Sequence, residues 1–282
     1  MDLSIIILSY NTRDITDEAL RGLPEDAEVI VLDNASIDGS VEMIRKKYPR
    51  VKLIVSKVNT GFSKGNNIAM KQSNNPIILF LNSDCFVEEE ALKKAYEYFK
   101  SHDCDVLGVK LVYENGRLQP SAGYLPTPLN AVFWILGLSF FQPIHPQSKS
   151  FFERARKVGW TSGAFLMIRK EVFNQVGGFD ENIFMYMDEV DLCKRVQMAG
   201  FSVCFTPSVQ TVHLQRASQD SPEKVFTLEL KGMKYYFQKY FSNYYPLVKF
   251  FLILGLILRI IAFSLLGKTK RARAYVESLG VI

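Results

Sequence analysis

Cysteine is scarce and dispersed in this chain. Its four residues, Cys85, Cys104, Cys193 and Cys204, form no CxxC pair. That argues against a zinc site and reads as reduced, mostly core thiols of a cytosolic protein. Both common phosphate-binding glycine signatures are missing too. Without GxxxxGK[ST] the chain carries no P-loop, and without GxGxxG it lacks the dinucleotide fingerprint. There is no internal repeat and no low-complexity tract. The N-terminal apolar run, Leu3 to Leu8, has no basic segment before it, so no secretory signal is expected. Histidine is limited to three residues.

What is present is a globular composition. The 282 residues are 48% apolar and 13% aromatic, enough for a sizeable core in one large domain or a domain with an appendage. The net charge of +5 is uneven, with Lys268, Lys270, Arg271 and Arg273 clustered near the C-terminus. Such a cluster favours an anionic surface. It adjoins apolar sequence and carries no nucleic-acid recognition motif, so a membrane is the expected partner and nucleic acid is not.

Strand and helix patterns alternate over the first hundred residues. Leu3–Ser9 is a β-branched run ended by Tyr10-Asn11, and Glu28–Asp33 is the next strand. Ser40–Tyr48 has Val41, Ile44 and Tyr48 on one helical stripe, closed by Arg45, Lys46, Lys47 and then Pro49. Val51–Val55 is a third strand, and Ser63 is a candidate cap for a helix reaching about Gln72. Ile77–Leu81 reads as a strand buried on both faces. Glu88, Glu89 and Glu90 then open a helix whose inner stripe is Leu92, Ala95, Tyr96 and Phe99. This alternation predicts an α/β fold with a mostly parallel central sheet flanked by helices. Further on, strands are expected over Asp105–Tyr113 and Thr161–Arg169. A short helix ends at Gly177-Gly178, another helix spans about Asp188–Ala199, and Phe201–His213 reads as a strand pair bent at Pro207. Pro120–Pro146 holds five prolines and the apolar patch AVFWILGLSFF, which suits a lid or a surface touching lipid.

From Leu247 to Gly267 the only charges are Lys249 and Arg259. The length matches the ~20 residues of a spanning helix. Arg259 near its middle would cost roughly 2.5–3.5 kcal/mol on insertion scales. A helix in the membrane interface with Arg259 snorkelling is therefore favoured, flanked by the basic cluster on the cytoplasmic side. The expected organisation is a domain over residues 1–220 and a helical region over 221–282.

Four strand ends carry polar residues: Ser9 to Asn11, Asp33-Asn34, Asn59 to Asn67, and Asn82 to Asp84. In a parallel sheet such ends line one edge, where α/β sheets bind ligands. Asp84, at the end of a buried strand, is too costly to bury unpaired, and a hard divalent cation carrying a phosphate suits it. In NTGFSKGNN the glycines allow close backbone approach and Lys64 can meet phosphate charge. Asp188 and Asp191 can be read as helix-capping acids. Glu189 is left over beside Phe184 and Tyr186, and a carboxylate in a partly apolar cleft has the raised pKa a general base needs. His213 ends the run VQTVH. With Asp84 it offers one imidazole and one carboxylate, a pair that suits catalytic Mn²⁺ or Mg²⁺.

The ordered set SIIILSYN, VIVLDNASIDGSVEMI, NTGFSKGNNIAM, ILFLNSDCF, WTSGAFLMIRKEVFNQVGGFDENIFMYMDEVDLCKRVQMAGF and His213 resembles the inverting nucleotide-sugar glycosyltransferases of family 2. These have the GT-A fold, and the likeness is greatest to their bacterial rhamnosyltransferase-like branch. It spans roughly residues 1–220. The resemblance implies that Ser9 and Asn11 sit near the nucleotide and that Asp33 contacts its base. Asn59, Gly61, Lys64, Asn66, Asn67 and Asn82 would line the nucleotide and sugar-phosphate site. Asn82-Ser83-Asp84 stands where the family has its metal-binding DxD-like motif, with Asn82 in place of the first acid. Asp84 and His213 would hold Mn²⁺ or Mg²⁺. Trp160, Ser162, Gly163 and Tyr186 would border the sugars. The family usually shows Glu-Asp where this chain has Asp188-Glu189, with the base second, so Glu189 inherits that role and Asp188 is its fallback. After His213 the usual glycine is absent and Arg216 stands nearby.

The implied partners are a nucleotide-sugar donor, with dTDP-rhamnose first and UDP-hexoses next, and a lipid-linked saccharide acceptor. The implied place of action is the cytoplasmic face of the bacterial inner membrane. Two other classes stay open on the residues: a nucleotidyltransferase, which would release pyrophosphate, and a sugar-nucleotide-binding scaffold without catalysis.

Overall fold

The computed structural model describes residues 1–136, 144–215 and 222–282. Part of the expected lid (137–143), Arg216 and the 220/221 boundary lie outside the described residues.

The N-terminal half alternates strand and helix: β1 (Leu3–Ser9), α1 (Arg13–Arg21), β2 (Glu28–Asp33), α2 (Ser40–Lys47), β3 (Lys52–Val55), α3 (Gly61–Met70) and β4 (Ile77–Asn82). The strands lie in the order β3-β2-β1-β4, all parallel, as apolar runs separated by helical crossovers require. β1 is central and Leu3, Ile5, Ile6 and Ile7 are fully buried. Successive side chains enter opposite cores. Ile6, Ile30, Ile78 and Phe80 join one face, while Ile5, Ile7, Val31 and Leu79 join the other. α1 occupies a stretch to which the apolar periodicity assigns no element. The reason is that Thr16 and Asp17 are among its few buried positions. Asp17 is paired there with Arg21, Lys47 and the Tyr48 hydroxyl, so the helix has no purely apolar stripe.

The chain continues through β5 (Cys85–Phe86), α4 (Glu89–Ser101), β6 (Val106–Val112), β7 (Leu118–Gln119), β8 (Ala122–Gly123), α5 (Pro128–Ile135), β9 (Arg156–Lys157), β10 (Trp160–Thr161), β11 (Phe165–Arg169), α6 (Lys170–Gln175), α7 (Asp188–Met198) and β12 (Val203–His213). The sheet extends as β4-β11-β6-β12-β5, with β11 antiparallel to both its neighbours and β12 parallel to β6. The result is a mixed α/β sheet, mostly parallel in its N-terminal half. β12 is one strand instead of the expected pair. Its register against β6 shifts between Thr206 and Gln210, a bulge that accommodates Pro207. Part of the Pro120–Pro146 segment is the helix α5, whose Ala131 and Ile135 are buried in the core. Two capping expectations also change. α3 begins at Gly61, which places Ser63 inside the helix, and α7 is preceded by Met187 in a left-handed conformation, so Asp188 is its first residue.

The C-terminal helices are α8 (Pro222–Tyr240), α9 (Tyr245–Leu265) and α10 (Thr269–Leu279). α8 shares the main core through Leu230, Met233, Tyr236 and Phe237. It is also tied to α7 by polar bonds: the buried Asp191 carboxylate accepts from Lys239 Nζ at 2.7 Å, Tyr240 OH at 2.8 Å and Arg195 Nε at 2.7 Å. That use of Asp191 replaces the expected capping box. α9 buries Val248, Leu252, Gly255 and Leu256 against the domain. α10 turns back along it, with Phe263 and Tyr275 stacked at 5.5 Å and Tyr245 OH donating to Ile282 O. Arg259 does not snorkel. Its guanidinium donates to Ile135 O at 3.2 Å and Gly255 O at 3.0 Å, satisfying a carbonyl at the C-terminus of α5.

Candidate active site

Parallel register brings the polar strand ends level. Ser9 is paired with Asp33 and Leu8 with Asn82, so the ends of β1, β2 and β4 form one edge. Asp33 is fully buried there. Its Oδ1 accepts from Ser36 N at 2.9 Å, and among the described residues its Oδ2 has no hydrogen-bond partner. A buried carboxylate oxygen without a donor is costly, which suits a site that a ligand donor completes.

The loops around Asp33 are held by side-chain amides. Asn34 Oδ1 accepts from Thr60 N at 2.8 Å, and its Nδ2 donates to Asn59 Oδ1 at 2.9 Å. Asn59 Oδ1 also receives Gly61 N at 2.9 Å. Gly61 has φ +78°, and a Cβ there would stand 2.6 Å from the carbonyl oxygen and ring of Phe184, so only glycine fits. Phe62 N donates to the same Phe184 oxygen at 2.7 Å, which fastens the start of α3 to the segment that leads into α7. Ser9 Oγ lies in a buried hydroxyl cluster with Thr12 and Thr16. Asn11, at φ +52°, accepts Ile37 N. Asn66 donates to Phe62 O, and Asn67 holds both Phe179 N and Phe179 O. These four side chains are engaged with the protein's own loops. Lys64 is exposed on α3.

At the other end of this edge stand Asn82, Asp84 and His213. Pairing of β12 with β5 sets His213 opposite Cys85. His213 Nε2 lies 3.2 Å from Asp84 Oδ1 and 3.4 Å from Asn82 Nδ2, while Nδ1 lies 2.8 Å from Gln119 Oε1. With its proton on Nδ1, donated to Gln119, His213 would turn an Nε2 lone pair towards the carboxylate, and an imidazole oriented by such an outer hydrogen bond is a usual metal ligand. Among the described residues no group of three or more His, Cys, Asp or Glu could hold a metal alone. Asp84 and His213 therefore fit a divalent ion whose remaining ligands come from elsewhere, such as a diphosphate.

The acids of α7 are presented by two consecutive left-handed residues, Tyr186 at φ +66° and Met187 at φ +65°. Such backbone costs about 1–3 kcal/mol per residue and tends to persist at functional sites. Burial pushes the Asp188 carboxyl up to about 7. Nearby Asp191 adds to the rise, and backbone N–H groups of residues 186, 188 and 189 oppose it. Glu189 keeps partial solvent access, yet burial raises it well above the ordinary glutamate range, helped by the charges of Asp188 and Glu229. Gly163 links the two ends of the site. Asn82 N donates to Ala164 O at 3.1 Å, and a Cβ at Gly163 would come within 3.8 Å of Glu189 Cβ and 3.2 Å of Phe62. Glu189 thus lies beside Gly163, the residue before the one that binds Asn82 N. Ser162 Oγ accepts Ala164 N, and Tyr186 is half-buried. Trp160 is a core residue whose indole donates to Ile144 O at 2.9 Å.

A buried carboxylate at the strand ends, a carboxylate–imidazole pair and a raised carboxyl are the parts of a group-transfer site. The model of the family "Glycosyl transferase family 2" matches residues 4–177. The chain belongs to glycosyl transferase family 2. It is similar, at 27% identity over 234 residues and 75% of each chain, to the N-acetylglucosaminyl-diphospho-decaprenol L-rhamnosyltransferase of Mycobacterium tuberculosis. It is also 27% identical over 223 residues to the rhamnosyltransferase WbbL of Escherichia coli, covering 74% of this chain and 82% of that one. Among solved structures, the mannosyltransferase PcManGT from Pyrobaculum calidifontis, in complex with GDP-Man and Mn²⁺, matches with TM-score 0.61 at 14% identity, over 98% of this chain and 85% of that one. The fold is GT-A, and the protein is a glycosyltransferase.

Asn34, visible along the chain only as part of a polar strand end, is the residue that fastens the 59–61 loop beside Asp33. Two further neighbours of these groups are not revealed by residue patterns. Gln119 lies 94 residues from His213 in sequence, and Glu229 lies on α8, outside the matched segment.

Proposed function

We propose that this glycosyltransferase is inverting and metal-dependent, and that it moves a sugar from a nucleotide-sugar donor to a hydroxyl of a lipid-linked saccharide acceptor. Rhamnose, from dTDP-rhamnose, is the first candidate sugar, in line with the rhamnosyltransferase names of the two relatives, and the diphospho-decaprenol in one of those names is in line with a lipid-linked acceptor of cell-surface polysaccharide assembly. The observation that carries the reading is the raised Glu189 carboxyl beside Gly163, one residue before the Ala164 whose carbonyl accepts from Asn82 N at the Asp84 end of the sheet edge.

Asp33 would take a donor hydrogen bond from the nucleotide base. Asp84 and His213 would hold Mn²⁺ or Mg²⁺ together with the donor diphosphate, as Mn²⁺ accompanies GDP-Man in the Pyrobaculum neighbour. When bound, that ion would neutralise charge on the departing nucleoside diphosphate. Glu189 takes the proton of the acceptor hydroxyl as its oxygen bonds the anomeric carbon and the bond to the diphosphate breaks. One displacement of this kind inverts the anomeric centre. The test is a panel of nucleotide sugars with Mn²⁺ or Mg²⁺ and a saccharide-diphospholipid acceptor. Nucleoside diphosphate release with an inverted product is expected. Pyrophosphate release would instead mark a nucleotidyltransferase, and no turnover with any donor would overturn the reading.

The C-terminal helices support action at a membrane. Leu247, Phe250, Leu258, Ile261 and Leu265 are exposed on the face of α9 that the domain leaves uncovered. Lys268, Lys270, Arg271 and Arg273 are exposed just beyond it. Because the opposite face of α9 is packed and α10 folds back, the helix would lie in the interface plane instead of crossing. Each basic residue near anionic lipid adds about 1 kcal/mol. The protein is expected to co-sediment with phosphatidylglycerol-containing vesicles, less so at high salt, and Leu258→Glu with Ile261→Glu is expected to abolish this. A wild-type protein that stays in the supernatant would rule the docking out.

A further inference from the structure

α8 presents a stripe at helical spacing to the domain: Glu229, Met233, Tyr236 and Tyr240. Met233 and Tyr236 are buried, as are the adjacent Leu230 and Phe237. Glu229 therefore puts a carboxylate in a position where the pattern calls for an apolar side chain. It is half-buried, and among the described residues it has no hydrogen-bond or ion-pair partner. Three residues along the same face, α8 comes so close to the left-handed turn before α7 that a Cβ at Gly232 would lie 2.7 Å from Tyr186 O and 3.0 Å from Met187 Cβ. The face that bears Glu229 is thus seated on the turn that presents Asp188 and Glu189.

We propose that Glu229 is an acceptor-binding residue, whose carboxylate receives a hydrogen bond from a second hydroxyl of the acceptor sugar beside the one Glu189 deprotonates. The proposal rests on Glu189 being the general base. A carboxylate only accepts hydrogen bonds, and a saccharide offers neighbouring hydroxyl donors. Two carboxylates in one partly dry cleft repel unless such donors, or a shared proton, intervene. Burial pushes Glu229 up to about 7, and its charge in turn raises Glu189. The other titratable groups that interact with Glu189 are Asp188 and Cys193 on α7. From the adjoining loop it meets Gly163, which does not titrate. The position is a sensible one for selecting the acceptor, because α8 lies outside the segment that defines the family.

The experiment compares Glu229→Met and Glu229→Gln with the wild type in the full chain, using a saccharide-diphospholipid acceptor. In Glu229→Met the acceptor KM is expected to rise about tenfold or more, as loss of a hydrogen bond to a charged group implies. Nucleoside diphosphate affinity should stay unchanged and Tm equal or higher, because a carboxylate with no partner among the described residues leaves an apolar stripe. In Glu229→Gln the acidic limb of the pH–rate profile is expected to move to lower pH. A wild-type acceptor KM and pH profile in both variants, or a large fall in Tm with unaltered KM, would make Glu229 purely structural and overturn the proposal. Failure of the underlying reading shows separately, as absent transfer in the wild type or full turnover in Glu189→Gln.

Discussion

Glu189→Gln is expected to lower the rate of sugar transfer by about 10²–10⁴-fold, the usual contribution of a positioned general base. The amide keeps the shape of the side chain and its place beside Gly163, so nucleoside diphosphate affinity should be unchanged. The loss should appear in kcat. On the proposed mechanism, transfer requires the ionised carboxylate. Because burial and Asp188 hold the Glu189 pKa well above the ordinary range, the rate should fall as pH drops through that raised pKa. The acid limb should therefore lie clearly above the ~4.3 of an unperturbed glutamate. The same environment has a stability consequence of opposite direction. A carboxyl raised in the folded state binds more protons there than in the unfolded chain. Stability is thus greatest below the ordinary carboxylate pKa and declines as pH rises towards about 7, the value to which Asp188 is pushed. Full turnover by Glu189→Gln with nucleotide bound would remove it from the mechanism.

The second large effect is expected at Asp84. With its carboxylate gone, the proposed ion site keeps His213 but loses its anionic ligand, and Mn²⁺ affinity in the presence of nucleoside diphosphate should drop below what spectroscopic titration detects. Gln119→Leu provides the scale. It removes only the hydrogen bond that orients His213 through Nδ1 at 2.8 Å, and loss of such outer partners typically costs about 10–100-fold in metal affinity. The expected order is therefore wild type, Gln119→Leu, Asp84→Ala, with kcat falling in the same order at fixed Mn²⁺. Unaltered Mn²⁺ affinity in Asp84→Ala would show that the ion, if used at all, is held elsewhere.

Much of the scaffold is readable without coordinates because its signals are local. β1, β2 and β4 are uninterrupted apolar runs, and the inner stripe of α4 has helical spacing. Polar residues at the ends of parallel strands meet on one edge, since parallel register makes those ends level. Asp33, Asp84 and Glu189 stand out for the same reason, as acids where apolar runs stop or cap patterns leave a remainder. Misreadings arise where a local pattern is overridden by a distant partner. Asp191 fits a capping box by spacing, yet Lys239 and Tyr240 on α8 take its carboxylate. Arg259 looks like a charge stranded in an apolar helix until α5 supplies Ile135 O. α1 is hidden because its buried Asp17 is neutralised by groups from α2 and the residue after it.

The sequence by itself determined the fold class, the family and the strand ends that carry the chemistry, because periodicity and punctuation act over a few residues. Tertiary structure alone decided which of those residues face one another. His213 and Asp84 meet because β12 pairs with β5, Gln119 reaches the imidazole across 94 residues, and α8, a helix beyond the matched segment that bears Glu229, is seated on the turn before α7. Those contacts depend on register and packing between distant segments, and no short-range pattern encodes them. The raised Glu189 carboxyl is of the same kind, since a pKa is set by what surrounds a group in space.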